Sequence, residues 1–413
     1  MRSARLWARL LGVERAVVER VEFDEDADAL VVAVRPRKSA KRRCGVCGRR
    51  CGGYDQGEGR RRWRALDLGT VRAFLEADAP RVCCPEHGVV VAQVPWARHG
   101  AGHTRVFDDT AAWLAVHTSK QAVRELLRVA WRTVGRIVAR VGADAEQAVD
   151  RLDGLARIGI DEISHRKGQR YLTVIVDHDS GRLVWAAPGH DAATLGRFFD
   201  LLGEERCAAI RLVSADAAEW IARVVAACCP QARLCLDPFH VVKWATDALD
   251  EVRREVWNAA RTAGDTALAR ELKGARFALW KNPEDLTARQ HAKLAWIGQV
   301  NDRLYRAWLL KEELRLVFKL KGVRATVLLE AWLGWARRCR IPAFVRLARS
   351  IGEHRAGIQA ALTEGLSNGL VESVNTKIRL LTRVAFGFRS PEALIALAML
   401  SLGGLCPPLP GRA

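Results

Sequence analysis

Three acidic residues in three different settings constrain this chain more than any other feature: Asp161 in RIGIDEIS, Asp216 in RLVSAD and Glu372 in NGLVESVN. The first two sit in or at the end of apolar runs with strand character. The third lies on a run with helical periodicity, 156 residues beyond the second. A fold that brings two strand-borne carboxylates together with a helix-borne one can hold two divalent metals. Such a pair, about 3.5–4 Å apart, activates a water or a 3′-hydroxyl and stabilises the leaving oxygen of a phosphodiester. Charge points to the same kind of partner. With 66 Lys and Arg against 47 Asp and Glu, the chain carries a net charge of +19, and a polyanion gains by releasing its counterions to such a surface.

The remaining bounds are broad. A length of 413 residues allows two to four domains, and a hydrophobic fraction of 49% supplies a large core. No apolar run reaches the roughly 18 residues of a membrane span, so no membrane partner is expected. The N-terminal MRSARLWARLLGVERAVVERV is basic and amphipathic but has no h-region or cleavage site, and Glu14 and Glu19 argue against a transit peptide. It reads as a short first helix. The expectation is a cytoplasmic protein, associated with the nucleoid, in which cysteines stay reduced. Eleven cysteines, an odd number with several in pairs or CxxC spacing, favour metal binding over a disulfide framework.

Residues 1–100 read as a zinc-binding domain. VEFDEDADALVVAV is a hairpin with an acidic turn at Asp24–Asp28, and WRALDLG with VRAFLEADA forms a second strand pair. Between and after them lie CGVCG and CPEHG, two tight turns with ligands three apart and a glycine behind the second ligand. Four N or S donors at this spacing suit tetrahedral Zn²⁺. The assigned ligands are Cys44, Cys47, Cys84 and His87, with Cys83 competing with Cys84 for the third position and Cys51 a spare. Twelve Arg or Lys crowd residues 35–64.

Residues 101–150 read as a helix-turn-helix. FDDTAAWLAVHT should start near Asp108, Asp109 or Thr110, SKQAVRELLRV has Ser119 as its cap, and AWRTVGRIVARVGADA is the third helix. Arg132, Arg136 and Arg140 are four apart along the third helix, as on a recognition helix that meets DNA.

Residues 151–250 alternate strand and helix signals. ARIGIDEI, YLTVIVDH and RLVWAAPG are strands, the last two joined by the turn Asp179-Ser180-Gly181. Helix, strand AAIRLVSA, helix, strand ARLCLD and a long helix from PFHVVKW follow. Three antiparallel strands and then α-β-α-β-α make a ribonuclease H-like α/β order, with Asp161 on its first strand and Asp216 after its fourth. Residues 251–360 read as a helical insertion whose six tryptophans (Trp257, Trp280, Trp296, Trp308, Trp332, Trp335) belong to a core. Residues 361–413 carry the last helix of the catalytic core. There Val371, Val374, Ile378 and Leu381 form the apolar stripe, while Glu372, Asn375 or Thr376, Arg379 and Arg383 share the other face, Glu372 as a metal ligand, Asn375 as a neighbour of the site, and Arg379 and Arg383 as contacts to DNA phosphates. Other acids are weaker candidates. Glu162 alternates to the opposite face of its strand, and Asp177 ends a strand beside a turn. Asp237 and His240 are neighbours of the site, or else a helix N-cap and a structural histidine.

At this point the chain resembles a known family, the bacterial insertion-sequence DDE transposases of the ISL-three (ISL3) type. The motifs that carry the resemblance are CGVCG with CPEHG, IGIDEISHRKGQRYLTVIVD, LVSADAAEW, LDPFHVVK and LSNGLVESVNTKIRLLTRVAFGFRS, which together span nearly the whole chain. The resemblance implies an enzyme that binds the terminal inverted repeats of its own element, cleaves the strands and joins the 3′ ends to target DNA. It implies Asp161, Asp216 and Glu372 as ligands of Mg²⁺ or Mn²⁺, and double-stranded DNA as partner. Pairing two ends implies a homodimer or larger assembly on DNA. Two other readings of the same residues are a transposase-derived DNA-binding regulator that no longer cuts and a structure-specific nuclease of the same fold.

Overall fold

The computed structural model describes residues 2–13, 15–166, 168 and 170–412; Glu14, one of the two N-terminal acids weighed above, lies outside them. The chain forms two compact units, residues 1–150 together with 381–413, and residues 151–380. The expected piece 361–413 is thus divided within its first helix.

The first unit begins with α1 (Arg2–Leu10) and then β1 (Ala16–Asp24), β2 (Ala29–Pro36), β3 (Gly52–Asp55), β4 (Arg60–Arg64), β5 (Arg72–Asp78), β6 (Arg81–Cys84) and β7 (Gly88–Val91). These make a four-stranded sheet in the order β1-β2-β5-β4 and a three-stranded sheet β3-β6-β7. The acidic hairpin is where the alternation put it, with Asp24 opposite Ala29. Val32, Val34, Trp63, Leu75 and Trp96 bury the larger sheet's inner face.

Helices α2 (Arg105–His117), α3 (Lys120–Leu126) and α4 (Trp131–Ala148) follow. Ser119 caps α3, its hydroxyl accepting from Ala122 N at 3.2 Å. Helix α2 starts earlier than the sequence suggested. Thr104 is its cap, accepting from Phe107 N at 3.2 Å, which leaves Asp108 inside the first turn and fully buried. Asp108 is not a cap because its carboxylate serves arginines, as described below.

The second unit is built on β8 (Arg157–Arg166), β9 (Arg170–Asp177), β10 (Leu183–Pro188), α5 (Ala192–Leu202), α6 (Glu204–Ala209), β11 (Leu212–Ala215), α7 (Glu219–Cys228), β12 (Arg233–Leu236) and α8 (Pro238–Thr262). Its sheet runs β10-β9-β8-β11-β12. The first three strands are antiparallel, and β11 and β12 run parallel to β8. One face packs Ile158, Ile160, Phe198, Val213 and Ile221 into a common core.

Then come α9 (Thr266–Lys273), α10 (Arg276–Trp280), α11 (Ala288–Val300), α12 (Asp302–Lys319), α13 (Val323–Arg338), α14 (Pro342–Glu353), α15 (Arg355–Glu364) and α16 (Gly369–Val384). Helices α8 to α15 share one apolar core, and all six tryptophans pack in it or against it. Trp332 is fully buried, and its indole N–H donates to Leu310 O at 2.8 Å. The last helix, α17 (Pro391–Leu402), belongs to the first unit, where it packs on α4 and α2.

Strand β8 meets α16 at a glycine. A Cβ on Gly159 would lie 2.3 Å from Val371 Cγ2, 2.8 Å from His178 Nε2 and 3.1 Å from Ser214 Oγ. The bare backbone at this position lets α16 lie on the sheet. Gly159→Ala should therefore destabilise the protein by about 1–3 kcal/mol, as overpacking does. A thermal melt showing no loss would contradict the close approach.

Candidate active site and metal centre

The strand register decides where the acids fall. Ser214 of β11 pairs with Gly159 of β8, so two residues further on Asp216 stands level with Asp161 on the adjacent parallel strand. Ala215 pairs with Leu236 of β12, which sets Asp237 level with Asp216. Side chains alternate along a strand, and Gly159 faces α16, so Asp161 is carried on that face too. Glu372 is in the first turn of α16, directly after the contact made by Val371.

The electrostatics register this convergence. Burial pushes the Asp161 carboxyl up to about 6, and the charges of Asp216 and Glu372 add to the effect. Asp161 Oδ1 accepts from Glu162 N at 2.8 Å, and Oδ2 accepts from Asn375 Nδ2 at 2.8 Å. Asn375, expected as a neighbour of the site on the polar face of its helix, is buried and hydrogen-bonded directly to Asp161. Glu162 follows Asp161 on the alternate side of the strand. Burial raises its carboxyl to about 7, with Asp216 and Asp161 again contributing.

Asp237 occupies the N-cap position of α8, but its side chain makes no cap bond. Its Oδ2 accepts from His240 Nδ1 at 2.9 Å, which raises the imidazole's pKa; Asp216 and Asp161 push in the same direction. Its Oδ1 accepts from Asn368 N at 3.1 Å. The sequence offered Asp237 and His240 as site neighbours and gave Asn368 only a turn, since nothing local marks an asparagine whose partners are on distant strands.

The donor set fits hard divalent cations, which take oxygen ligands. Repulsion among the carboxylates is a second sign, because a cation between them would relieve it. A third is Asn375 Oδ1, buried beside Asp161 with no hydrogen-bond partner. The three carboxylates do not close to within 4.8 Å of one another as a group; a pair of ions takes its oxygens from a wider arc than one tetrahedral ion does.

One group does close that tightly among the described residues: Cys44, Cys47, Cys84 and His87. The first knuckle turns at Gly48, whose N–H donates to Cys44 O at 3.0 Å. The second is the β6–β7 hairpin, in which Cys84 pairs with Gly88. The sulfurs of Cys47 and Cys84 are 3.8 Å apart, and Cys84 Sγ is 3.6 Å from His87 Nδ1. A tetrahedron with Zn–S of about 2.3 Å and Zn–N of about 2.0–2.1 Å has edges of about that size. The choice left open between Cys83 and Cys84 is decided by the pleat: Cys84 is buried within the cluster and Cys83 is exposed on the other side of β6. His87 facing Cys84 draws its thiol down to about 6.

On α4, Arg132 and Arg136 are exposed, while Arg140 turns inward and donates to Asp108 Oδ2 at 3.0 Å. Buried Arg98 joins the same cluster, reaching Asp109 at 2.6 Å and Asp144 at 2.7 Å. This network was invisible in the sequence, because Arg98 lies in a loop without periodicity. Arg379 and Arg383 are exposed on α16.

Comparison with known proteins adds the following. Residues 158–398 match a DDE family of ISL3 type described as transposase. Residues 92–142 match the helix-turn-helix domain of transposase family ISL3, and residues 40–87 match the zinc-finger of transposase IS204/IS1001/IS1096/IS1165. The chain is 62% identical to the transposase for insertion sequence element IS1557 of Mycobacterium tuberculosis, over 100% of this chain and 98% of that protein. It is 29% identical to the transposase for insertion sequence element IS1001 of Bordetella parapertussis, over 95% and 96% of the two chains.

Protein purified without added metal should carry about one zinc per chain. Cys84→Ser should lose it and Cys83→Ser keep it, as elemental analysis would show; equal zinc in both variants would remove the assignment. On end-bearing DNA, Arg132→Ala and Arg136→Ala should each lower the salt slope of binding by about one. Arg140→Ala should instead lower thermal stability, by about 1–3 kcal/mol, because it strips a partner from buried Asp108.

Proposed function

Given that this chain belongs to the ISL3 family of DDE transposases, we propose that Asp161, Asp216 and Glu372 hold its divalent cations, Mg²⁺ or Mn²⁺, and that the enzyme works on the ends of its own element. It is a DNA-cleaving transposase with zinc-ribbon, helix-turn-helix and DDE domains. The observation that carries the proposal is the strand register, which sets Asp161 level with Asp216 while the contact of α16 at Gly159 brings in Glu372.

The sheet order β10-β9-β8-β11-β12, antiparallel and then parallel, supports a ribonuclease H-like core. The shared core of α8 to α15 supports reading the helices between the second and third acids as an insertion. The bound cations would supply a polarised water or 3′-hydroxyl and neutralise charge on the phosphodiester. The protein's own groups prepare the place for this. Asn375 holds one oxygen of Asp161 and leaves the other end of the carboxylate bonded only to the Glu162 amide. Asp237 fixes the His240 ring through Nδ1, so that Nε2 is left to face a phosphate or a departing oxygen. Arg379 and Arg383, exposed on the helix of Glu372, suit the flanking DNA backbone, and Arg132 with Arg136 suit the terminal inverted repeats. Pairing two ends calls for a dimer or larger assembly on DNA, acting on the nucleoid in the cytoplasm. No described helix is long and apolar enough to cross a membrane.

In a cell-based excision assay, with the element's ends bracketing a marker, Asp161→Asn, Asp216→Asn and Glu372→Gln should each reduce excision by about a hundredfold or more, the scale of losing a main electrostatic stabiliser. Gel shifts on the same ends should be nearly unchanged. A variant that still excises would remove its residue from the triad.

A further inference from the structure

Asn368 lies beside the carboxylates, where its side chain and backbone together make four hydrogen bonds. It is 1% exposed, in the turn just before α16. Its N–H donates to Asp237 Oδ1 at 3.1 Å, and its Nδ2 donates to Ile160 O at 3.3 Å. Its Oδ1 accepts from Ser214 Oγ. Its own carbonyl accepts from Glu372 N at 2.8 Å, the first backbone bond of α16.

Each partner adjoins a group of the site. Ile160 precedes Asp161, Ser214 is two residues before Asp216, Asp237 holds His240, and the Glu372 amide belongs to the third carboxylate's own residue. The donors run in one direction only. Ile160 O can only accept, so the amide nitrogen of Asn368 is committed to it and the amide oxygen must face Ser214. Ser214, having donated, must accept from His178 Nε2, which lies 2.7 Å away. Asparagine offers a donor and an acceptor side by side on one short planar amide, whereas glutamine is a methylene longer and the two ring nitrogens of histidine point apart. An aspartate would set an oxygen against Ile160 O and bury a charge beside Asp237.

We propose that Asn368 is a positioning residue that sets the spacing of Asp161, Asp216 and Glu372, and through it the affinity of the site for divalent cations. The proposal rests on the reading of those three acids as cation ligands. Groups that orient ligands from behind typically change metal affinity by about 10–100-fold when removed.

The test uses the full-length protein with Mn²⁺ as probe. Binding is followed by loss of the free-ion electron paramagnetic resonance signal, and strand cleavage of an end-bearing duplex is measured across Mn²⁺ concentration. Asn368→Ala, Ser214→Ala and Asp161→Asn are compared with the unaltered chain, and zinc content and thermal melts establish folding. The expected result for Asn368→Ala is Mn²⁺ binding weakened about tenfold or more, with DNA binding kept and cleavage partly restored at high Mn²⁺. Ser214→Ala, which removes one bond of the set, should shift in the same direction by less.

A folded Asn368→Ala with unaltered Mn²⁺ binding overturns the proposal. If that variant does not fold, Ser214→Ala decides, and an unshifted Mn²⁺ dependence overturns it equally. Asp161→Asn keeps the two ideas apart: Mn²⁺ binding that survives that change removes the cation reading itself.

Discussion

The approach of α16 to the central sheet is the constraint on which the rest depends. Glu372 is 156 residues from Asp216 in the chain, and only the seating of its helix on β8 joins it to the strand-borne acids. That seating needs a position without a side chain, supplied by Gly159 under Val371. It also needs the polar ends of both elements satisfied out of water, since an unpaired buried group costs about 1–3 kcal/mol. Asn368 meets the second need at the one place where β8, β11, β12 and α16 converge.

Packing and chemistry oppose each other at this point. Three carboxylates and the His240–Asp237 pair are drawn into one partly buried region, and burial, with the charges of Asp216 and Glu372 adding to it, raises the Asp161 carboxyl to about 6. A site like this stores electrostatic strain that a cation relieves. The surrounding structure tolerates the strain because it is anchored on all sides. Hydrophobic burial from Ile158, Ile160 and Val213 holds the sheet beneath, and the tryptophan-lined core of α8 to α15 holds the helices that follow β12.

The first unit meets a different problem. The strands of its smaller sheet are four residues each and bury only Val82 and Cys84, so little apolar surface is available to fix them. Three thiolates and one imidazole from the two knuckles would do that work for the smaller sheet on holding a zinc ion, since a structural zinc contributes folding energy directly. The helix-turn-helix is held in part by charge: Arg98 and Arg140 converge on buried Asp108. Sequence spacing placed Arg140 beside Arg132 and Arg136, but desolvated Asp108 claims it, because a buried carboxylate without a cation is far more costly than an exposed arginine without a phosphate.

The sequence by itself determined the acidic hairpin of the first unit, the strand order β8 to β12 of the second, the ligand quartet up to the choice between Cys83 and Cys84, and the apolar positions Val371, Val374 and Ile378 of α16. These are carried by local signals: alternation, CxxC spacing and helical periodicity each act over a few residues. Tertiary structure alone decided that Cys84 turns inward, that Thr104 caps α2, that Arg140 is an internal partner and that Asn368 bonds to groups in or just after three strands. Each of those outcomes depends on which distant side chain arrives to share a buried space. No local pattern encodes that arrival, because the energy that selects it comes from desolvation and exists only once the chain has closed around it.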